Sequence, residues 1–348
     1  MRHYVVTSFF LLYVGLGFTQ TSTPFVWQVQ QSNLGSSLRG CSAVNAQIAW
    51  ISGTNGKYAR TLEGGKTWQA DSIAGAGALD FRDVQAFDAN TAYLMSAGPG
   101  DRSRIYMTTD GGKHWTLQYT MPDSAGFLDG FAFWDKQHGI AFGDPIAGRL
   151  FILTTNDGGK TWRRLANENA PQVIEGEYAF AASGTSIVVQ DKKHVWIGTG
   201  GNAARVFHSA DRGNSWSVAT TPMVSGTQST GVFSLAFRDE KHGIAVGGDY
   251  RKEQEVLANV AITNDGGKTW TLVPNQTVAY RSCVAYVMHK GKLLLVAVGP
   301  SGADYSWDEG LTWKKISEEG YHTMSTGGTA TSIYAAGAGG KVAKLLVH

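Results

Sequence analysis

The sequence predicts an all-β fold, a single seven-bladed β-propeller, from three observations. The 348 residues include 44 Gly and only 8 Pro, and 11% of them are aromatic. An octapeptide motif recurs six times along the chain. Two short apolar segments precede each copy, and four strands in a repeating unit of ~40–50 residues are typical of a propeller blade.

Composition and charge exclude several other classes of protein. The high aromatic content argues against disorder, and this density of Gly and β-branched residues disfavours a helical bundle. The formal net charge is only +2, so no overall field would draw the protein onto nucleic acid or an anionic membrane. No Cys/His spacing is typical of a zinc site, and no strand–GxGxxG–helix unit is present. We therefore expect no metal, no cofactor and no nucleic-acid partner.

The first twenty residues differ from the rest of the chain. Arg2 precedes an apolar segment at residues 5–18, VVTSFFLLYVGLGF, and polar residues follow it. This pattern is typical of a signal peptide, and the apolar segment is shorter than the ~20 residues that a membrane-spanning helix needs. We predict a signal peptide at residues 1–20, a propeller at residues 21–348, and a secreted or periplasmic protein without an integral membrane segment after signal removal. An uncleaved anchor is the alternative.

The octapeptide follows the consensus [ST]-x-D-x-G-x-[TS]-W. Its acidic position is occupied by Glu63, Asp110, Asp157, Asp211, Asp265 and Asp308, and its last position by Trp68, Trp115, Trp162, Trp216, Trp270 and Trp313. Gly supplies the positive φ of a tight turn, and the carboxylate and hydroxyl can bond turn backbone groups. The tryptophan can bury its ring between neighbouring sheets. These roles are structural, and Glu63 predicts a looser turn in the first copy.

The order of the apolar segments predicts how the ring closes. The segments CSAV, DVQAF, GFAFW, AFAA, FSLAF and CVAYV each predict the first strand of a blade. After Trp313 three more strands are predicted without a closing octapeptide, and Trp27 in PFVWQVQQ aligns with the tryptophan of the motif. The N-terminal strand is therefore predicted to complete the last blade, which gives seven. A six-bladed ring with a spare C-terminal hairpin is the alternative.

One face of the ring is predicted to carry the binding residues. Loops between second and third strands share this face with the connections between blades, and the octapeptides lie on the opposite face. Aligned blades place one residue just before each first strand: Arg39, Arg82, Asp129, Glu177, Val232, Arg281 and His322. The loops add Asp101, Arg102, Arg104, Asp144, Asn202, Arg205, Asp249, Tyr250, Arg251, Ser301 and Asp304. We predict a ligand at this axial mouth, with a merely solvated rim as the alternative.

Two cysteines do not make a disulfide scaffold. Cys41 and Cys283 occupy matching places in blades one and six, and blade seven lies between these blades. The distance between their Cα atoms should therefore exceed the ~7 Å limit for a disulfide. The sequence predicts two free, buried thiols.

The octapeptide is identified as the Asp-box, also called the bacterial neuraminidase repeat. In the proteins it resembles, the box lies on the turn between the third and fourth strands of a blade. The chain resembles the photosystem II stability/assembly-factor-like group of Asp-box propellers in its blade count, its GGKTW boxes, and segments such as HGIAVGGDYR and AVGPSGADYS. That resemblance implies a non-enzymatic scaffold whose arginine patch binds a partner protein. Candidate patch residues are Arg39, Arg82, Arg205, Arg251 and Arg281.

Sialidases share the Asp-box propeller, so a glycosidase is the alternative. Arg39, Arg82 and Arg281 could hold a carboxylate, and Asp129 and Glu177 in adjacent blades could act as the catalytic pair at the ~5–9.5 Å that glycosidases require. However, the Arg-Ile-Pro motif of sialidases is missing. We therefore favour a monomeric scaffold that binds a protein or glycan ligand at the mouth.

Overall fold

Seven antiparallel sheets follow one another along the chain in the computed structural model, which describes residue 1, residues 24–275 and residues 277–348. Each sheet contains four successive strands of a blade, so the predicted seven-bladed β-propeller is confirmed. The predicted signal peptide, apart from Met1, lies outside the described residues. Within the described ranges, no helix is long and apolar enough to cross a membrane.

The blades are numbered in chain order, and their strands are given from the inner to the outer edge. Blades one to three contain Leu38–Ala43, Ala49–Gly53, Lys57–Thr61 and Gln69–Ser72; Phe81–Ala86, Ala92–Ser96, Arg104–Thr108 and Thr116–Thr120; and Leu128–Phe133, Gly139–Ile146, Arg149–Thr155 and Arg163–Arg164. Blades four to six contain Ile187–Gln190, His194–Gly198, Arg205–Ser209 and Ser217–Thr220; Thr227–Phe237, Gly243–Asp249, Val260–Thr263 and Thr271–Leu272; and Cys283–His289, Lys292–Gly299, Gly302–Ser306 and Lys314–Ser317. Blade seven contains Thr323–Thr326, Ile333–Ala336, Lys341–Val347 and Phe25–Gln31. Two short strands, Glu177–Tyr178 and Gly200–Gly201, extend the inner edge of blade five, and 3-10 turns span Gly100–Arg102, Ala330–Ser332 and Ala338–Gly340.

The N-terminal strand closes the ring, as predicted. Phe25–Gln31 pairs antiparallel with Lys341–Val347 and forms the outer strand of blade seven. This pairing joins the two ends of the described chain and leaves no incomplete blade. The six-bladed alternative is therefore excluded.

The octapeptides form the turns between third and fourth strands. In blade three, Thr155 Oγ1 donates to Asp157 Oδ1 at 2.9 Å and accepts the N–H of Gly159 at 2.8 Å. The N–H and hydroxyl of Thr161 donate to the two carboxylate oxygens of Asp157 at 2.9 and 2.7 Å. In the first copy, the described hydrogen bonds to Glu63 include only one from a side chain, Thr67 Oγ1 at 3.0 Å. The turn with Glu63 is thus looser, as predicted.

The motif tryptophans pack between neighbouring blades. Trp270 of blade five packs against Val206 and Trp196 of blade four. Trp313 of blade six packs against Ile244 and other buried residues of blade five. Trp27 plays the same role between blades six and seven. Burial of large aromatic surface between the sheets helps to hold neighbouring blades together.

The two cysteines are both free thiols, as predicted. Cys283 Sγ donates to the carbonyl of Met324 at 3.3 Å and Cys41 Sγ to that of Tyr334 at 3.6 Å, both in blade seven. Cys283 is buried, but Cys41 is only half-buried. The predicted burial is therefore wrong for Cys41, because the last three residues of its strand are only partly covered.

One predicted strand is also wrong. The segment AFAA at residues 179–182 is not a strand, and the inner strand of blade four is Ile187–Gln190. Residues 179–185 instead leave the sheet and run into the middle of the ring, as the contacts below show. Apart from Phe180 and Thr185, the side chains of this segment are small, which suits a path that contacts several other blades.

Candidate functional site

A segment of blade four, residues 179–185, crosses the axis of the ring, and we call it the axial segment. Arg39 of blade one and Arg82 of blade two donate from Nη1 to the carbonyls of Ala182 and Ala181, each at 3.2 Å. On the other side, Ser183 Oγ donates to the carbonyl of Ser282 in blade six at 2.6 Å. Only a segment on the axis could reach blades one, two and six together.

Further contacts fix the axial segment to blades seven and five. Thr323 Oγ1 of blade seven donates to the carbonyl of Ser183 at 3.0 Å. Thr185 Oγ1 donates to Ser234 Oγ of blade five at 2.7 Å, and the carbonyl of Thr185 accepts the N–H of Leu235 at 2.9 Å. The channel that a propeller of this size would enclose is therefore closed by the chain itself.

Two buried carboxyl groups lie against the axial segment. Gly184 has φ +74°, and a Cβ there would lie 2.3 Å from Asp83 Oδ1. Asp83 Oδ2 accepts the N–H of Phe131 at 3.1 Å, and burial raises the pKa of Asp83 to about 8. Burial, and then the charge of Asp144, raise the pKa of Asp129 well above its usual value. Burial therefore favours the neutral form of both carboxyl groups.

The axial segment is the floor of a pocket of about 380 Å³ that opens on the predicted face. Its charged and polar lining comprises Arg39, Arg82, Asp129, Asp144, Glu253 and Tyr280. Its apolar lining comprises Phe127, Ala179, Phe180, Ala181, Ala182, Phe233, Tyr250 and Pro300. Phe180 of the axial segment stacks on Phe233 of blade five, with ring centres 4.0 Å apart. The pocket thus combines an aromatic wall with two guanidinium groups.

The two arginines differ in how their charges are compensated. Arg82 Nε lies 2.7 Å from Asp80 Oδ2, so Arg82 has an ion-pair partner. Across the described part of the chain, no carboxylate lies within ion-pairing distance of Arg39, whose recorded hydrogen bond goes to Ala182. Burial, and then the charge of Arg82, lower the pKa of Arg39. A bound anion would offset both the loss of water around the Arg39 guanidinium and the repulsion from Arg82.

β-Bulges aim three of the predicted residues into the pocket. The register of the inner strand shifts at Arg39, Arg82 and Asp129, which leaves each as the extra residue of its pair of strands. A bulge turns the extra side chain away from the sheet. In blade five the bulged residue is Phe233, not Val232 as the sequence alignment placed it.

Four predicted mouth residues form buried ion pairs with each other. Arg205 Nε lies 3.0 Å from Glu177 Oε1, which also accepts a bond from Thr199 Oγ1 at 2.5 Å. Arg281 Nε donates to Asp304 Oδ2 at 2.6 Å, and these two residues are only 2% and 4% exposed. These charges are compensated inside the blades, and none of the four lines the pocket.

The predicted carboxylate pair is therefore not assembled. Asp129 shares the pocket with Asp144, whereas Glu177 does not line it. The reason is the misplaced strand, since Glu177 precedes the axial segment and not an inner strand. Nor does Arg281 join Arg39 and Arg82 around one ligand position.

The remaining predicted residues lie around the rim. His322 Nδ1 lies 3.2 Å from the carbonyl of Leu38, and burial, helped by the charge of Arg39, lowers the pKa of His322 to about 4. Asp249 Oδ1 accepts the N–H of Arg251 at 2.9 Å. In the same loop Tyr250 is 40% exposed and lines the pocket.

The sequence analysis missed the floor and most of the aromatic wall. Phe180, Phe233, Tyr280 and Glu253 were not predicted at the mouth. A partial signal was present, because the spacing of acidic positions rises from 47 (157 − 110) to 54 across blade four (211 − 157), although it is also 54 across blade five (265 − 211). That blade therefore holds extra residues, which the axial segment uses.

The contact between Gly184 and Asp83 can be tested by substitution. We expect Gly184→Ala to destabilise the fold by ~2–4 kcal/mol, because the new Cβ adds overpacking to a left-handed backbone. Gly75→Ala is the matched control: φ is +77°, but nothing lies within 4 Å of the added Cβ. Urea unfolding would measure both variants. Equal losses of stability would contradict the proposed packing of the axial segment.

The buried Asp83 carboxyl predicts a pH dependence. Its pKa of about 8 in the folded state lies above the ~3.9 of an unfolded chain. Its contribution to stability is therefore complete below pH ~4 and is lost as the pH rises to about 8. Asp83→Asn should remove this loss and raise the free energy of unfolding at pH 8 by ~1 kcal/mol or more relative to wild type. Urea unfolding measures the free energy of unfolding of both proteins as a function of pH, and parallel profiles would refute this prediction. The control is Asp71→Asn, because Asp71 is exposed.

Comparisons with known proteins agree with this fold. No family model matches the chain. A curated xyloglucanase of Paenibacillus sp is 25% identical over 289 residues, which cover 76% of this chain and 24% of that protein. The chain thus spans about a quarter of the length of this curated relative.

Two solved structures of YCF48, a photosystem II assembly factor, are similar over nearly the whole chain. YCF48 bound to D1 peptide has a TM-score of 0.62 at 16% identity, covering 94% of this chain and 96% of that one. YCF48 from Cyanidioschyzon merolae has a TM-score of 0.60 at 17% identity, covering 92% and 98%. The GH74 enzyme of Niastella koreensis has a TM-score of 0.51 at 12% identity, covering 88% of this chain and 65% of that one. The chain is thus a seven-bladed β-propeller whose fold is that of YCF48, with glycoside hydrolases more distantly similar.

Proposed function

We propose that this protein is a binding scaffold that holds a peptide segment of a partner protein in the mouth pocket. The observation that carries the proposal is Arg39, a half-buried guanidinium without a carboxylate partner among the described residues, beside an aromatic wall. Charges taken out of water need an opposite charge. A peptide carboxylate, from an acidic side chain or a free C-terminus, would supply that charge.

The shape of the pocket supports a short segment of chain as ligand. The axial segment limits its depth, so a partner can insert one or two side chains but cannot thread through the ring. The stacked rings of Phe180 and Phe233 suit an apolar side chain next to the carboxylate. Tyr250 on the rim can reach the backbone of such a ligand. The YCF48 structure solved with a D1 peptide is consistent with this use of the fold.

A glycosidase is the second candidate, and one observation favours it. Asp129 and Asp144 line the same pocket, and burial raises the pKa of each. Two carboxyl groups with raised pKa values can act as acid and base in glycoside cleavage. The xyloglucanase and GH74 relatives share this fold. We rank this candidate second because Asp129 is only 2% exposed, which leaves little of its carboxyl group accessible to a substrate.

We also propose that the protein is exported and acts as a monomer. The basic residue and short apolar segment within residues 1–20 support export. Mass spectrometry of the protein recovered outside the producing cells would test it, because a mature chain that retains residues 1–20 would contradict a cleaved signal.

The peptide proposal is tested with a display library of random peptides that end in free carboxylates. We expect enriched peptides to combine an acidic group with an aromatic or aliphatic neighbour. Arg39→Gln should weaken binding of a selected peptide at least ~10-fold, since a hydrogen bond to a charged group contributes about 1.5–3 kcal/mol. Arg39→Lys should recover part of the affinity, because it keeps the charge. Exposed Arg251→Gln is the control and should change affinity less than ~2-fold.

Two outcomes would contradict the proposal. One is a library that yields no enriched peptide, or peptides whose affinity does not depend on Arg39. The other is hydrolysis of xyloglucan or aryl glycosides by the wild type that both Asp129→Asn and Asp144→Asn abolish. The second outcome would make the protein a glycosidase.

A further inference from the structure

A four-residue motif, Asp-x-x-His, occurs at the hairpin between the first and second strands of three successive blades. It reads DKQH at residues 135–138, DKKH at residues 191–194 and DEKH at residues 239–242. In blade five, Asp239 Oδ1 accepts the N–H of His242 at 2.8 Å, and the imidazole Nδ1 lies 2.9 Å from the same oxygen. Blade three has the same arrangement, with 2.9 Å for both distances. In these two blades the motif closes a turn on itself.

Blade four departs from that pattern. Asp191 has φ +53°, and the Nδ1 atom of His194 lies 3.0 Å from Nε2 of His208 instead of bonding to Asp191. The His194 ring is nearly parallel to the rings of His208 and Trp196, with ring centres 5.3 and 5.4 Å apart. His194 is only 7% exposed, so its ring is held in one orientation. The same motif is thus used differently in this blade.

The second ring nitrogen of His194 has no hydrogen-bond partner within the described chain. It lies 3.6 Å from Oε2 of Glu240 in blade five, too far for a hydrogen bond. If His194 donates its Nδ1 proton to His208, Nε2 carries a buried lone pair without a donor. If His208 donates instead, the Nε2–H of His194 lacks an acceptor. Either tautomer leaves a buried polar atom unsatisfied, which is rare in folded proteins.

A metal ion would satisfy this atom. One carboxylate oxygen each of Asp191 and Glu240 and one nitrogen of His194 all lie within 4.8 Å of one another. Both carboxylates are exposed and can shift towards a common ion, whereas the imidazole is already fixed. The contact between Nδ1 of His194 and His208 is the outer-shell hydrogen bond that orients metal-binding imidazoles.

We propose that Asp191, His194 and Glu240 form a binding site for a divalent transition-metal ion of the zinc class. One imidazole and two carboxylates are a donor set that Zn²⁺ accepts, with water completing the coordination. The ion would link the first hairpins of blades four and five on the face opposite the mouth. It would stabilise the contact between blades four and five on that face. The sequence analysis predicted no metal, because it found no Cys/His spacing typical of a zinc site. The site proposed here uses carboxylates and one imidazole from two different blades.

The experiment is a zinc titration of the full-length protein, first stripped of metal with a chelator, with the heat of binding measured by calorimetry. We expect one site in the micromolar range or tighter, and a higher thermal midpoint in the presence of Zn²⁺. Glu240→Gln and Asp191→Asn should each weaken this site at least ~10-fold, the loss that even an outer-shell partner causes. Asp135→Asn in blade three is the matched control and should leave the affinity unchanged. Because Glu240 is exposed, its variant should keep the unfolding midpoint of the metal-free wild type.

Binding of Co²⁺ provides a second readout, because its visible absorption reports the ligand set. The spectrum should be lost in His194→Gln and retained in the Asp135→Asn control. The absence of a site tighter than ~100 μM would overturn the proposal. So would a site whose affinity is the same in Glu240→Gln and in Asp135→Asn, since that zinc would be bound elsewhere on the protein.

Discussion

The hydrogen bonds between the axial segment and the surrounding blades are the constraint on which the mouth of this propeller depends. Seven sheets packed through their tryptophans leave a channel along the axis. Here residues 179–185 close that channel. Arginine side chains on one side donate to their carbonyls, and on the other side Thr323 donates to the Ser183 carbonyl while Ser183 Oγ donates to the Ser282 carbonyl. The result is a pocket with a floor. A channel would suit a threading polymer, whereas a floored pocket suits the end or the side chains of a ligand.

Closing the channel has electrostatic consequences that reach the pocket. Asp83 lies against Gly184 and is shielded from water, and this burial raises the pKa of its carboxyl group to about 8. Asp129, next to the same segment, is buried, and no described residue forms a hydrogen bond with its Oδ2 atom. Arg39 and Arg82 each use one nitrogen to hold the segment and still face the pocket. Their remaining donors are the basis of the carboxylate binding that we propose for the mouth.

The repeated features of this molecule could be predicted from the sequence, and the features of a single blade could not. The octapeptide, its turn, the packing of its tryptophan and closure by Phe25–Gln31 all follow from local chemistry or from counting. The bulged residues Arg39, Arg82 and Asp129 were found because three blades align well. Glu177 was misplaced because AFAA resembles an inner strand in its apolar pattern. The path of residues 179–185 across the axis depends on contacts with distant blades, and no local sequence pattern encodes such contacts.

Both unusual features described above belong to blade four. Its inner strand begins late because the axial segment precedes it, and its first hairpin releases His194 from the pairing that blades three and five keep. A ring of near-identical blades can vary in one blade without losing its packing, since each tryptophan needs only its two neighbouring sheets. The floor of the mouth pocket and the metal site that we propose therefore both depend on departures from the repeat, and the repeat supplies the frame around them.

The most direct test of this account is amide hydrogen exchange of the free protein, followed by mass spectrometry of peptides that cover residues 179–186. A segment that closes the channel should exchange much more slowly than an exposed loop, because most of its residues are buried and the N–H of Ala179 donates to Asp144 of blade three. Exchange as fast as in the exposed loop at residues 251–257 would mean that the segment is open in solution. The pocket would then have no fixed floor, and the account of the mouth would be wrong.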